Sequence, residues 1–210
     1  VEGFLGNGLG LPVQQREHAE RRSVQVSSGE TEAFVAITFA AYNQGRCRNL
    51  DEDNLCRIYD RRPLVCRIYP MEINPHIPLD IAVKECPPQS WESGPDLIVG
   101  GTLVDQPLAE LIQRSRQADR DDVLVKDAMC ALLGIRTTAL KGDGFTAYLP
   151  DMAEFATIFD ELAGQTLPEW ASEWLFHVSG DDIAGQVQAA GAEVTSETAQ
   201  NYAFISLRAA

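Results

Sequence analysis

Apolar and polar positions change their spacing several times along the chain, and each change marks an element or a connection. Residues 1–30 are glycine-rich and then polar, with Pro12 placed to open a helix running to about Arg22. Ala33-Phe-Val-Ala-Ile-Thr-Phe39 is rich in β-branched and aromatic residues and predicts a buried strand. Thr31 followed by alanines also permits a helix there, and so short an apolar run has no period to decide between them. From Gly45 to Trp91 no period holds. Asp51 to Asn54 predicts a turn, proline recurs at positions 63, 70, 75, 78, 87 and 88, and irregular structure is expected.

Beyond Gly100 and Gly101 helical spacing takes over. Pro107 opens a helix carrying Leu108, Leu111 and Ile112, and a second helix spans about Arg120 to Leu133, with Gly134 as its stop. A turn at Gly142-Asp-Gly144 precedes the apolar stretch Phe145 to Leu149. Asp151 then caps a helix whose Phe155, Ile158, Phe159 and Leu162 stand at the spacing of one buried face. Pro168 predicts another, with Trp170 and Trp174 one turn apart as core residues, and further signals mark a helix near Asp181 to Ala190 and an apolar end, Tyr202 to Leu207. The fold expected from this pattern is mainly α with an irregular cysteine-rich region and small β content, α+β being the alternative. The expected organisation is a region 1–101 with a helical region 102–210 packed on it, together compatible with a single domain.

Composition limits what such a chain can do. With 45% hydrophobic and 23% charged residues it is an ordinary globular sequence. No run of 18 apolar residues exists to span a membrane, and Val1 to Gly10 is too short and glycine-rich for a signal sequence, so a cytoplasmic location is expected. A net charge of -14 argues against nucleic acid as a partner. The glycines Gly6, Gly8 and Gly10 follow no strand in this reading, and no phosphate-cradling loop, zinc-protease or serine-hydrolase motif occurs.

The chemistry concentrates between Arg46 and Pro87, which holds Cys47, Cys56, Cys66 and Cys86. Four thiolates converging on one point would make a soft anionic pocket suited to zinc or an iron-sulfur cluster. Between Arg46 and Arg67 the six arginines 46, 48, 57, 61, 62 and 67 outnumber Asp51, Glu52, Asp53 and Asp60, and nearby guanidinium charge favours thiolate over thiol. Two disulfides, or buried cysteines acting as small hydrophobes, are the competing readings; an odd cysteine count and a chain long enough to bury a core weigh against the first. No C-x2-C knuckle of the kind common in structural zinc sites occurs, which makes an iron-sulfur cluster the first choice and zinc the second. His76, in a loop between Pro75 and Pro78, is the histidine that sequence places nearest the cluster, whereas His18 and His177 have no partner identifiable from sequence. Cys130 sits in an apolar helical pattern and is assigned to the core.

The run Cys56-Arg-Ile-Tyr-Asp-Arg-Arg-Pro-Leu-Val-Cys66-Arg-Ile-Tyr-Pro70, preceded by Cys47-x-x-Leu50 and followed by Cys86, resembles the YkgJ-like cysteine-cluster family of zinc- or iron-chelating domains, to which flagellin lysine N-methylases are related. The resemblance implies Cys47, Cys56, Cys66 and Cys86 as metal ligands, framed by Tyr59, Arg62, Pro63, Arg67, Tyr69 and Pro70. In this reading Arg62 with Pro63 shapes the turn entering Cys66, Arg67 stabilises thiolate charge, and Tyr59 and Tyr69 pack over the site. Family members usually carry an earlier cysteine segment, and no cysteine precedes Cys47 here; the absence of an initiator methionine at Val1 leaves room for an upstream segment. Two functional classes follow: a metal-binding protein with every ligand position filled by protein, or a metal-dependent, methylase-like enzyme modifying a protein or peptide partner. The catalytic residues and oligomeric state are not legible.

Overall fold

Val24 to Ser28 alternates buried and exposed positions, the two-residue period of a strand with one face against a core. It is the edge of the main sheet in the computed structural model, which describes residues 1–41, 43, 45–165, 167, 172–197 and 200–207. In chain order the first elements are β1 (Glu2–Leu5), α1 (Arg16–Glu20), β2 (Val24–Ser28), β3 (Thr31–Ala36), α2 (Leu64–Ile68), β4 (Ile98–Val99) and β5 (Thr102–Leu103). Then follow α3 (Gln106–Asp121), α4 (Val123–Leu132), β6 (Thr137–Leu140), β7 (Gly144–Tyr148) and α5 (Met152–Leu162). The last are β8 (Leu175–His177), α6 (Asp181–Ala189), β9 (Val194–Thr195) and β10 (Tyr202–Ser206). Tertiary contacts divide the chain into one unit of Val1–Phe39 with Arg120–Ala210 and a second of Ala40–Asp119.

The first unit is built on a mixed six-stranded sheet in the order β2-β3-β1-β6-β8-β9. β2, β3 and β1 pair antiparallel, and β1, β6, β8 and β9 pair parallel. Leu5, Val35, Cys130, Trp174, Phe176 and Val187 are among the buried residues of its core. A smaller cluster joins α4 to α5 through Ala128, Met129, Ile158 and Leu162. β7 and β10 form a separate antiparallel ribbon.

This architecture corrects the mainly-α expectation. With 35% of residues helical and 21% in strands around a six-stranded sheet, the fold is α/β. Short strands explain the error: β6, β8 and β9 have four, three and two residues, too few for a period to emerge. β1 is also disguised by glycine, which lowers strand propensity. At Gly3 the packing requires it, since an added Cβ would lie 3.0 Å from Thr138 Cγ2 and 3.2 Å from the Phe176 ring.

The strand reading of Ala33–Phe39 holds in β3, although pairing stops at Ala36. The helices expected at Pro107, about Arg120, Asp151 and Asp181 form as α3, α4, α5 and α6, and Gly134 ends α4 with φ +66°. The helix expected from Pro168, with Trp170, falls largely outside the described residues; Trp174 lies just before β8, fully buried, so it is core but not helical.

The second unit is sparser. α2 and α3 meet through buried Ile68, Leu108 and Ile112, with Leu64, Met71 and Leu103 partly buried around them. The rest of its described residues form short turns, including 3₁₀ turns, and the β4–β5 hairpin. Among the described residues no helix is long and apolar enough to cross a membrane.

Candidate metal centre

Local hydrogen bonding fixes the loop that carries the first two cysteines. Asp51 Oδ1 accepts from the backbone N–H groups of Asp53 at 3.0 Å and Leu55 at 2.8 Å, and Asn54 adopts φ +62°, which completes the expected turn. The two arms pair as an antiparallel bridge between Leu50 and Cys56, and Arg57 N donates to Asn49 O at 2.9 Å. The Arg46 guanidinium donates to the carbonyls of Leu50 and Asp51, so this arginine holds the loop closed. Cys47 and Cys56 thus stand on one bridged loop.

A 3₁₀ turn over Tyr59–Arg61 follows, and Arg62 folds back on it, donating to Tyr59 O at 3.2 Å with its guanidinium 3.8 Å from the ring centroid. Pro63 then opens α2 with φ -55°, and its carbonyl accepts from Cys66 N and Arg67 N. Arg62 and Pro63 therefore frame the entry to the helix bearing Cys66, and buried Ile68 anchors that helix on α3. Tyr59 is exposed, and it is Arg62 that occupies its ring face. Tyr69, at the end of α2, accepts from Glu85 N at 3.0 Å, and its hydroxyl lies 3.6 Å from Cys86 Sγ. One phenol thus ties Cys86 to a position three residues beyond Cys66. Lys84 lies over the Tyr69 ring and pairs with Glu72.

The five cysteines are free thiols, and their environments differ. Cys47 and Cys66 are exposed, Cys56 and Cys86 half-buried, and Cys130 is buried in the core of the first unit. Burial, reinforced by Asp127, pushes the Cys130 thiol up to about 12, so it is a packed, protonated residue. Cysteines left outside a core are unusual for so hydrophobic a side chain. Four in one thinly cored unit match soft-metal donors in type and accessibility. In position they do not yet match: among the described residues no three His, Cys, Asp or Glu side chains gather as a metal-holding group. His76 is exposed, its backbone N–H donating to Asn74 Oδ1, and it borders a cavity of about 730 Å³ in the same unit.

That cavity was missed from sequence. Its wall on α3 consists of Ala109, Ile112, Gln113 and Arg116, spaced i, i+3, i+4 and i+7, a stripe that could have been read from the helical pattern after Pro107.

The segment brings together, in sequence, free thiols of a type suited to soft metals and a framing of arginine and tyrosine. Residues 10–87 match the family CxxCxxCC, described as "Putative zinc- or iron-chelating domain". The match takes in the β2–β3 hairpin and all four clustered cysteines. No curated protein and no solved structure matches the chain.

Proposed function

We propose that Cys47, Cys56, Cys66 and Cys86 hold one metal centre, an iron-sulfur cluster in the first reading and zinc in the second, in a protein working in a reducing, cytoplasmic compartment. The observation that carries this is the presence of four unbridged thiols outside any core, all within the segment matching the chelating family. Bound there, an iron-sulfur cluster would supply one-electron chemistry and zinc a structural clamp. In this reading the thiols converge as the metal binds, and the binding energy contributes to ordering the segment that carries them. Tyr69 carries Cys86 toward α2, Arg62 and Pro63 set the entry to Cys66, and the exposed Arg67 offsets charge on the neighbouring thiolate.

The test is to measure iron, zinc and acid-labile sulfide in anaerobically purified protein and in Cys66→Ser. Iron with matching sulfide, lost in the variant together with cooperative unfolding of the 40–119 unit, is the expected result. Zinc without sulfide would select the second reading. Full metal content in Cys66→Ser would remove Cys66 from the ligand set, and a chain without metal would defeat the proposal.

A further inference from the structure

Six arginines crowd into Arg46–Arg67, and three of them already have a task. Arg46 closes its loop on the carbonyls of Leu50 and Asp51, Arg62 lies on the Tyr59 ring, and Arg67 neighbours Cys66. Arg48, Arg57 and Arg61 have none of these. We infer that these three arginines, with exposed Leu55 and Tyr59, form a docking surface for an acidic segment of a partner protein. The backbone holds them close together. Arg48 and Arg57 stand on the two arms joined by the Leu50–Cys56 bridge and by the bond from Arg57 N to Asn49 O. Arms paired in this way lie about 5 Å apart. Arg61 ends the 3₁₀ turn that follows directly, its N–H donating to Ile58 O at 2.8 Å.

Charge decides the kind of partner. All three arginines are exposed, and among the described residues none of their guanidinium groups has a carboxylate partner. The acids of the same stretch are placed otherwise: the Asp51 carboxylate accepts from the N–H groups of Asp53 and Leu55, and Glu52 and Asp53 occupy the loop tip. An unpaired guanidinium favours a planar, two-oxygen anion, which a partner's carboxylates supply. Leu55 and Tyr59 are 64% and 63% exposed, which leaves apolar area to bury between the charged heads. The net charge of -14 does not prevent such docking, because at physiological salt charges act over about 8 Å and the arginines meet the partner at contact range. A nucleic acid fits less well, since its continuous line of phosphates would run against Glu52, Asp53 and Asp60, whereas a protein segment places its carboxylates singly.

The test titrates the whole purified chain, in reducing buffer, into a fluorescein-labelled peptide rich in glutamate and leucine and into its glutamine counterpart, followed by fluorescence anisotropy. The glutamate peptide should bind saturably, about tenfold more tightly than the glutamine peptide, and more weakly as salt is raised. The combined variant Arg48→Gln, Arg57→Gln, Arg61→Gln should lose that preference, and the corresponding lysine variant should keep part of it. Arg57→Gln alone should weaken binding about threefold and decides the matter if the combined variant loses its fold. Arg114→Gln, an exposed arginine on α3, should leave the affinity unchanged. Binding of neither peptide, equal affinity for both, undiminished binding by the arginine variants or an equal loss in Arg114→Gln would each overturn the inference. So would tighter binding of a short oligothymidylate, which would make the partner a nucleic acid, or self-association that the combined variant abolishes, which would make it a second copy of the chain.

Discussion

Cys130 and Cys66 carry the same thiol in opposite surroundings. Cys130 packs against the sheet core, where burial holds its proton, whereas Cys66 stands exposed on a short helix beside Arg67. Because the thiolate is the reactive form, the two should differ sharply toward an alkylating agent. Iodoacetamide on native, metal-stripped protein is expected to modify Cys47, Cys56, Cys66 and Cys86 and to spare Cys130 until denaturant is added, as read by peptide mass spectrometry. Labelling of Cys130 under native conditions would contradict its place in the core. Reconstituting the metal before labelling should protect the four clustered cysteines, which makes the same experiment a residue-by-residue assay of the ligand set.

Between elements, the contact with the clearest consequence joins β8 to β10. His177 Nδ1 lies 2.8 Å from the Tyr202 hydroxyl, which donates to Glu197 O at 3.0 Å, and the imidazole stacks on Phe204 with ring centroids 4.4 Å apart. With the phenol proton on Glu197 O, Nδ1 is the donor and the neutral ring carries its proton there. Burial lowers the His177 pKa below its ordinary 6.5, and Asp143 pulls in the opposite direction. The unfolded chain therefore takes up the proton first as pH falls. The stabilisation is full above about 6.5 and is lost as pH drops through the lowered folded value. Urea midpoints should fall between about pH 7.5 and 5.5 in the parent and change less in His177→Phe, which keeps the stacking and removes the titration; parallel curves would show that other groups control the slope. None of this contact could be read from sequence, because residues 177 and 202 lie 25 positions apart on strands of two different sheets. Legibility of the elements follows the same logic. α5 announces itself through Asp151, whose carboxylate accepts from Ala153 N and Glu154 N, and through a stripe that buries Ile158 and Leu162. β1, with glycine at a tight crossing, and β8, with three residues, announce nothing.

Across the whole molecule the two units rest on different sources of order. The first buries a sheet core around Leu5, Val35, Trp174 and Phe176, whereas the second has Ile68, Leu108 and Ile112 as its buried cluster. The cysteines of the second unit were legible as candidate ligands by residue type, since cysteines framed by arginines, tyrosines and prolines need no periodicity to be recognised. Their spatial relation was not, because it depends on loops such as 47–56 and on the single phenol linking Tyr69 to Cys86. A segment with so small a core must draw stability from elsewhere, and metal-clamped regions draw it from ligation. Any ligand that binds only the folded form stabilises that form by mass action, and the gain falls on the unit that holds it. Hydrogen exchange on metal-loaded and chelator-treated protein should therefore differ by region. Amides from about Arg46 to Trp91 should exchange much faster after metal removal, whereas those of β1, β3 and β6 should keep their protection, because their hydrogen bonds belong to the sheet of the first unit. Uniform loss of protection in both units would mean that they unfold as one cooperative body, and no change in either would mean that the metal contributes nothing to the order of the cysteine segment.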